Sequence, residues 1–186
     1  MRFIEKIAGY VLGNISSTQF PEIALSALEE NIESESTIIL AGMTERDNTF
    51  ELEQNFSKML SELKIELPVK LLSAKILCRY YLNEIICNRS EAYKFMRKID
   101  NNIYMKINWE SELGLKKMDY VGQELGLEFM YTWYRELQDF YDGSMLLYHN
   151  DLSKAMQLEK FEQHLIDEAI LLRDKLDIEL TAHNTA

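Results

Sequence analysis

The chain has 186 residues, of which 47% are hydrophobic, and a formal net charge of −11 at pH 7. This length fits one domain with a buried core, and no uninterrupted apolar run reaches the roughly 18 residues that indicate a membrane helix. An acidic surface repels nucleic acid and anionic lipid and attracts basic molecules. We therefore expect neither nucleic acid nor a membrane as a partner.

The charge is unevenly distributed along the chain. Residues 20–66 carry eleven acidic and three basic side chains. Residues 67–118 carry five acidic and ten basic side chains, and residues 119–186 carry fourteen acidic and five basic side chains. Part of this asymmetry is predicted to be neutralised inside the fold, and the remainder predicts an acidic surface in solvent. The basic side chains of residues 94–106 are interpreted as a solvated or internally paired face rather than as a nucleic-acid site.

Apolar residues at helical spacing predict four helices in the first part of the chain. Gly13 supplies a left-handed stop for the first helix, and Pro21 fits the first turn of the second. Asn48, followed three residues later by Glu51, predicts a capping box at the start of the fourth. The predicted helices cover residues 3–12, 21–28, 36–42 and 48–64.

The second part of the chain predicts four more helical segments. Residues 69–87 are apolar nearly all round, which indicates a buried central helix. A helix with one basic side follows from Ser90, and residues 108–117 are interpreted as a loop. An aromatic helix is predicted over residues 120–143 and a long amphipathic helix over residues 152–180. The fold class is therefore all-α, a single-domain bundle of about seven to eight helices with orthogonal or irregular packing. We expect one domain over residues 1–180 and a frayed tail over residues 181–186.

The two cysteines, Cys78 and Cys87, are nine residues apart on one predicted helix. That spacing separates their Cα atoms by about 13 Å, which is too far for a disulfide. We expect buried free thiols and a reducing, cytoplasmic location.

The aromatic helix predicts two apolar faces and one polar side. The first face is interpreted as a core stripe and comprises Phe129, Trp133, Leu137 and Phe140. The second face comprises Leu127, Tyr131, Tyr134, Gln138 and Tyr141. Tyrosines suit half-solvated contacts because their apolar rings end in a polar hydroxyl. The second face is covered either by another helix of this chain or by a protein partner.

Glu136 lies on the predicted core stripe, where a lone carboxylate would be costly. We expect a structural, buried ion pair with a base such as Arg79, Lys75 or Arg97. A position at the rim and a functional acid are the alternatives.

The sequence lacks the common catalytic patterns. The paired Glu-x-x-His segments of di-metal bundles are absent. His164, which has Glu168 one turn away, is interpreted as a surface histidine rather than as a ligand of a mononuclear metal site. A Gly-x-Ser-x-Gly nucleophile turn is also absent, and the nearest glycine-rich stretch, residues 122–126, is acidic where phosphates need donors. We predict no catalytic residues, no metal and no cofactor.

Three segments carry a resemblance to a known class of protein: Ile23-Ala-Leu-Ser-Ala-Leu-Glu-Glu, Ile39-Leu-Ala-Gly-Met43 and Tyr81-Leu82-Asn-Glu-Ile-Ile86. Over roughly residues 20–90 the chain resembles the small, acidic, helical immunity proteins of bacterial toxin systems. The resemblance implies neutralisation of a cognate toxin by direct binding, without catalysis.

We therefore predict a non-catalytic interaction protein, most concretely an immunity or antitoxin-like inhibitor that binds a basic toxin domain through an acidic, tyrosine-rich surface. The predicted contact residues are Tyr131, Tyr134, Gln138, Tyr141, Glu29, Glu30 and Glu33. The alternative is a helical enzyme or small-ligand-binding protein with a pocket near Trp133 and Glu136. Homodimerisation through the aromatic helix is a third interpretation.

Overall fold

The computed structural model describes residues 1–114 and 119–184. Within these ranges the chain forms eight α-helices and four short 3₁₀ helices and no strand, which confirms the prediction of an all-α fold. The α-helices are α1 (Phe3–Val11), α2 (Phe20–Glu29), α3 (Glu35–Ala41), α4 (Thr49–Glu62), α5 (Lys70–Cys87), α6 (Ala92–Asn102), α7 (Glu128–Asp142) and α8 (Lys154–Asn184). The 3₁₀ helices are Ser17–Gln19, Arg89–Glu91, Tyr104–Lys106 and Gln123–Leu125.

The chain divides into two compact units, an N-terminal unit of residues Met1–Leu77 and a C-terminal unit that begins at Cys78. The boundary lies within α5. The organisation of residues 1–180 as one domain stays a prediction.

The N-terminal unit has a core of aromatic and aliphatic side chains from α1, α2, α3 and α4. The rings of Phe20 and Phe56 stack with centroids 3.9 Å apart, and Tyr10 packs edge-on against both. Pro21 lies in the first turn of α2, as predicted. Asn48 caps α4 by accepting the N–H of Phe50 at 2.9 Å.

One polar contact joins the start of α3 to the end of α4. The Glu62 carboxylate accepts the N–H of Ser36 at 2.9 Å and its hydroxyl at 2.8 Å. These donors hold the pKa of Glu62 below its usual value. The contact fixes the orientation of the short helix α3.

The C-terminal unit is built on α7 and α8, with buried side chains that include Leu127, Leu137, Phe161, Leu165 and Leu176. The aromatic helix begins at Glu128 and not at the predicted residue 120, because Gly122 (φ +84°) and Gly126 (φ +75°) turn the chain just before it. Helix α8 continues to Asn184, so residues 181–184 are helical where a frayed tail was expected. Residues 185–186 lie outside the described part of the chain.

Two arginines bind α8 within the C-terminal unit. Arg79 pairs with Asp177. Arg89 donates to the carbonyl oxygen of Glu159 at 2.7 Å and to the side chain of Gln163 at 3.0 Å. Of the two cysteines on α5, Cys78 is buried and Cys87 is exposed, so the expectation of two buried thiols is wrong for Cys87.

Candidate functional site

The aromatic helix α7 buries the face on which contact tyrosines were predicted. Tyr131 is 6% exposed and Tyr134 is 4% exposed, whereas Phe129, predicted for the core stripe, is 63% exposed. The Tyr131 hydroxyl donates to Asp100 of α6 at 2.7 Å, and the ring of Tyr134 packs 5.3 Å from that of Tyr93. The expectation that Tyr131 and Tyr134 form an exposed patch is therefore wrong.

The same burial changes the acid–base behaviour of these tyrosines. It raises the pKa of Tyr134 to about 12. It also raises the pKa of Tyr131, which in addition donates to Asp100. Both phenols are therefore neutral core residues, stabilised by packing and, for Tyr131, by a hydrogen bond.

The other predicted contact residues of α7 lie near its C-terminal end. Gln138 and Tyr141 are exposed. One side of the Tyr141 ring packs against Tyr93, with centroids 4.9 Å apart. The Tyr141 ring thus packs against Tyr93 on one side, and the rest of the ring is accessible to solvent.

The three predicted glutamates, Glu29, Glu30 and Glu33, are all exposed in the N-terminal unit. Glu30 also has a structural role, because its carboxylate accepts the N–H of Phe3 at the start of α1. The side chains of Glu29 and Glu33 are oriented towards solvent.

Exposed aliphatic side chains accompany these acids. On α2 the exposed positions include Glu22, Leu25 and Glu29, which share one helical face, and on α3 they include Glu35, Ile38 and Ile39. We call this set, together with Glu33, the acidic–aliphatic surface. Leu25, Ile38 and Ile39 are large aliphatic side chains that are exposed on these two short helices among the acids.

Glu136 is buried, with 2% of its surface exposed. Its carboxylate accepts the N–H of Leu147 at 3.1 Å and that of Tyr148 at 3.3 Å. The predicted ion pair is wrong: among the residues described, the partners of this carboxylate are backbone donors, and Arg79 pairs with Asp177 instead. Glu136 thus holds the segment that follows α7.

That segment, residues 144–149, is a compact loop that we call the display loop. Met145 and Leu147 are 83% and 71% exposed. The Tyr148 ring is partly exposed and packs 5.3 Å from Trp133. The display loop was missed as a functional candidate, although the apolar run Met145–Tyr148 directly after the helix stop at Gly143 was visible in the sequence.

His149 ends the display loop and contacts His164 on α8. Their Nε2 atoms are 3.1 Å apart, and their rings are inclined by only 8° with centroids 5.3 Å apart. The centroid separation exceeds the Nε2–Nε2 distance by about the sum of the two centroid-to-nitrogen distances, so both Nε2 atoms lie on the line between the centroids. The rings therefore meet edge to edge in nearly one plane. This is the geometry of an N–H···N hydrogen bond between two imidazoles, in which the Nε2–H of one ring donates to the Nε2 lone pair of the other.

Trp133 of α7 lies beneath this pair. Its ring stacks on His164 with centroids 4.0 Å apart. Burial, and next the neighbouring His149, hold the pKa of His164 below its usual value. Burial also raises the pKa of Glu168, one turn along α8, with further contributions from Asp167 and Glu128.

The described residues offer no group of three or more His, Cys, Asp or Glu side chains placed to hold a metal ion. Over the same part of the chain, every helix is too short or too polar to cross a bilayer.

The fold and these surfaces define an all-α protein with an acidic–aliphatic surface on its N-terminal unit and an exposed apolar loop on its C-terminal unit. The chain matches no protein-family model, no curated protein and no solved structure.

Proposed function

We propose that this protein is a non-catalytic inhibitor of the immunity or antitoxin type, which acts in the cytoplasm by binding a basic protein. The observation that carries the proposal is the acidic–aliphatic surface of α2 and α3. Aliphatic contacts supply affinity when they are buried against a partner, and surrounding acids accelerate the encounter with a basic surface.

The charge of the surrounding segment supports a basic partner. Residues 20–66 carry eleven acids against three bases. A second copy of the chain would bring like charges together, which disfavours a homodimer through this surface.

The alternative of an enzyme or ligand-binding protein with a pocket near Trp133 and Glu136 has less support. The Glu136 carboxylate is occupied by backbone N–H groups, and the Trp133 ring is covered by His164. Both side chains are thus engaged in contacts within the fold.

The proposal is tested by capture and then by measurement with purified components. The tagged chain is expressed in its native host, co-purifying proteins are identified by mass spectrometry, and the association of the purified partner is measured by biolayer interferometry at several salt concentrations. We expect a basic protein whose association rate falls as salt rises, and whose toxicity in cells is suppressed by co-expression of this chain.

The decisive variant is Glu29→Lys/Glu33→Lys, with Glu66→Lys/Glu110→Lys as a control that changes the net charge equally. All four side chains are exposed. We expect the first variant to bind about tenfold more weakly, mainly through a slower association rate, and the control to bind nearly as wild type does. Equal binding by both variants, or the absence of any basic partner, would refute the proposal.

A further inference from the structure

The display loop exposes three large side chains with apolar surface, Met145, Leu147 and Tyr148. Met145 and Leu147 project into solvent immediately after α7, and Tyr148 is partly exposed beside them. Methionine and tyrosine are enriched in the cores of protein interfaces. A loop serving only as a connection would be expected to carry polar residues at these positions.

The backbone of this loop is held by a buried charge. The Glu136 carboxylate accepts N–H groups from both Leu147 and Tyr148. Burial of a carboxylate is costly unless its oxygens are bound. The two donors come from the loop itself, so the stabilisation of Glu136 and the fixed shape of the loop depend on each other.

The other end of the loop is fixed as well. His149 adopts a left-handed conformation, with φ +58°, that is uncommon for residues other than glycine. It is held by the hydrogen bond to His164 and by Gln157, whose side-chain amide donates to the His149 carbonyl oxygen at 3.0 Å. A contact loop that is rigid before binding loses less conformational entropy when a partner covers it.

The charge around the loop indicates the chemistry of that partner. The loop follows the C-terminal end of α7, where the helix dipole is negative. Asp139 and Asp142 lie in the last turn of α7, and Asp151 lies just beyond the loop, with Asp142 and Asp151 exposed. These charges attract a basic surface and oppose a second copy of this chain.

We infer that the display loop is a preorganised contact whose Met145, Leu147 and Tyr148 side chains bind an apolar pocket on a basic protein. The inference rests on the proposed function, because it assigns a second contact to the same basic partner. Glu136 and His149 are then positioning residues, which shape the loop without contacting the partner.

The first test places a photo-crosslinking residue, p-benzoylphenylalanine, at Leu147 in the full chain within native cells. The control position is Leu171, which is 66% exposed on α8. We expect one crosslinked product at position 147 that contains a basic protein, and no such product at position 171. A product made of two copies of this chain, or no product specific to position 147, would overturn the inference.

The second test measures binding of the crosslinked partner, identified and purified, to chain variants. Met145→Ser/Leu147→Ser is compared with Met105→Ser/Leu171→Ser, a control with the same substitutions at similarly exposed positions. We expect the loop variant to bind about a hundredfold more weakly and the control to bind as wild type does. Equal binding by both would overturn the inference.

A positioning role for Glu136 is tested with Glu136→Gln. We expect faster hydrogen exchange at the Leu147 and Tyr148 amides, unchanged helicity by circular dichroism, and weaker binding of the same partner. Unchanged exchange would show that Glu136 does not fix the loop.

The outcomes separate the two proposals. If Glu29→Lys/Glu33→Lys weakens binding while the loop variants do not, the display-loop inference fails and the proposed function stands. If no basic protein binds the wild-type chain, both fail.

Discussion

At Gly122 the backbone lies so close to α7 that a side chain has no room. A β-carbon there would be 2.6 Å from the ring of Tyr131 and 2.8 Å from the Leu127 β-carbon, and φ is +84°. Gly143, at the other end of α7, has a similar φ of +80° but no atom within 4 Å of such a β-carbon. Gly122 and Gly143 share a left-handed backbone, but only Gly122 also lacks room for a side chain. Substituting each one therefore distinguishes the steric cost of a β-carbon from the cost of the backbone conformation.

We predict that Gly143→Ala lowers the free energy of unfolding by about 1 kcal/mol, the cost of a left-handed alanine. Gly122→Ala should cost about 3 kcal/mol, because overpacking against Tyr131 is added to the same conformational cost. Urea denaturation followed by circular dichroism measures both. Equal losses would mean that the turn moves away from Tyr131 without cost.

Which face of α7 is buried depends on residues that are distant in the sequence. The angular positions of the side chains on α7 follow from helix geometry, but geometry alone cannot say which of two apolar faces is buried. Tyr131 is buried, with Asp100 of α6 as the acceptor for its hydroxyl, whereas Phe129 is exposed. That acceptor comes from 31 positions earlier in the chain, so no local pattern could indicate it.

The His149–His164 contact joins the display loop to α8. The strength of this contact depends on pH because both partners are imidazoles. The pair is bonded when both rings are neutral, because one ring then donates an N–H to the lone pair of the other. Two protons would leave two N–H groups opposed at 3.1 Å. The ionisable groups around His164 are His149 itself, Lys160 and Asp167, with Glu168 one turn away on α8.

The pKa of His164 is held below the usual value of about 6.5 for histidine, chiefly by burial. The folded state therefore binds protons less readily than the unfolded chain, and the stability contributed by neutral His164 is fully present above about pH 6.5 and lost as pH falls through the folded pKa. In a Trp109→Phe background, Trp133 fluorescence should fall in a step centred below pH 6.5, because imidazolium quenches the stacked indole.

The control for this titration is His164→Gln in the same background, which should remove the step. A step that persists in this variant, or one centred above pH 6.5, would contradict the assignment.

Arg89 joins the 3₁₀ helix Arg89–Glu91 to α8. Its guanidinium bonds the Glu159 carbonyl and the Gln163 side chain, and pairs with Glu162 at 3.4 Å. Since several charge-assisted bonds converge on one side chain, Arg89→Ala should lower the free energy of unfolding by about 1–2 kcal/mol.

Lys94→Ala is the comparison for Arg89, because Lys94 forms an exposed pair with Glu91 in the same region. Its effect should be below about 0.5 kcal/mol. Thermal unfolding of the two variants checks the difference, and comparable losses would show that the contacts of Arg89 with α8 are not stabilising.

The helices were largely predictable because each depends on a local apolar periodicity. The positions of their ends were less predictable. Gly122 and Gly126 were within the predicted aromatic helix, yet both adopt left-handed conformations that delay its start to Glu128. A glycine inside a periodic segment is compatible with either a helix or a turn. At Gly122 the choice between a helix and a turn depends on the packing of the Tyr131 ring against this residue.

For the whole molecule, the all-α class followed from composition and periodicity, but the division into two units did not. Linkers are usually recognised by Gly, Ser or Pro, and the boundary between Leu77 and Cys78 lies inside the continuous helix α5. The sequence therefore contains no linker signal at that position. The acidic–aliphatic surface was partly predictable, because its acids lie within one short segment, residues 22–35. The partners of Glu136 were not predictable, because they depend on how the chain turns after α7.

Opening of the whole fold can be followed through the two thiols of α5. Burial raises the pKa of Cys78 to about 12, so its reactive thiolate is suppressed while the chain is folded, whereas Cys87 is exposed. With a disulfide reagent at pH 8, one thiol per chain should react rapidly and the second only as fast as the protein opens. Cys87→Ser should remove the fast phase, and urea should accelerate the slow phase so that the logarithm of its rate rises linearly with the loss of folding free energy. A Cys78 that reacts rapidly in native Cys87→Ser protein would mean that the centre of α5 is accessible without unfolding.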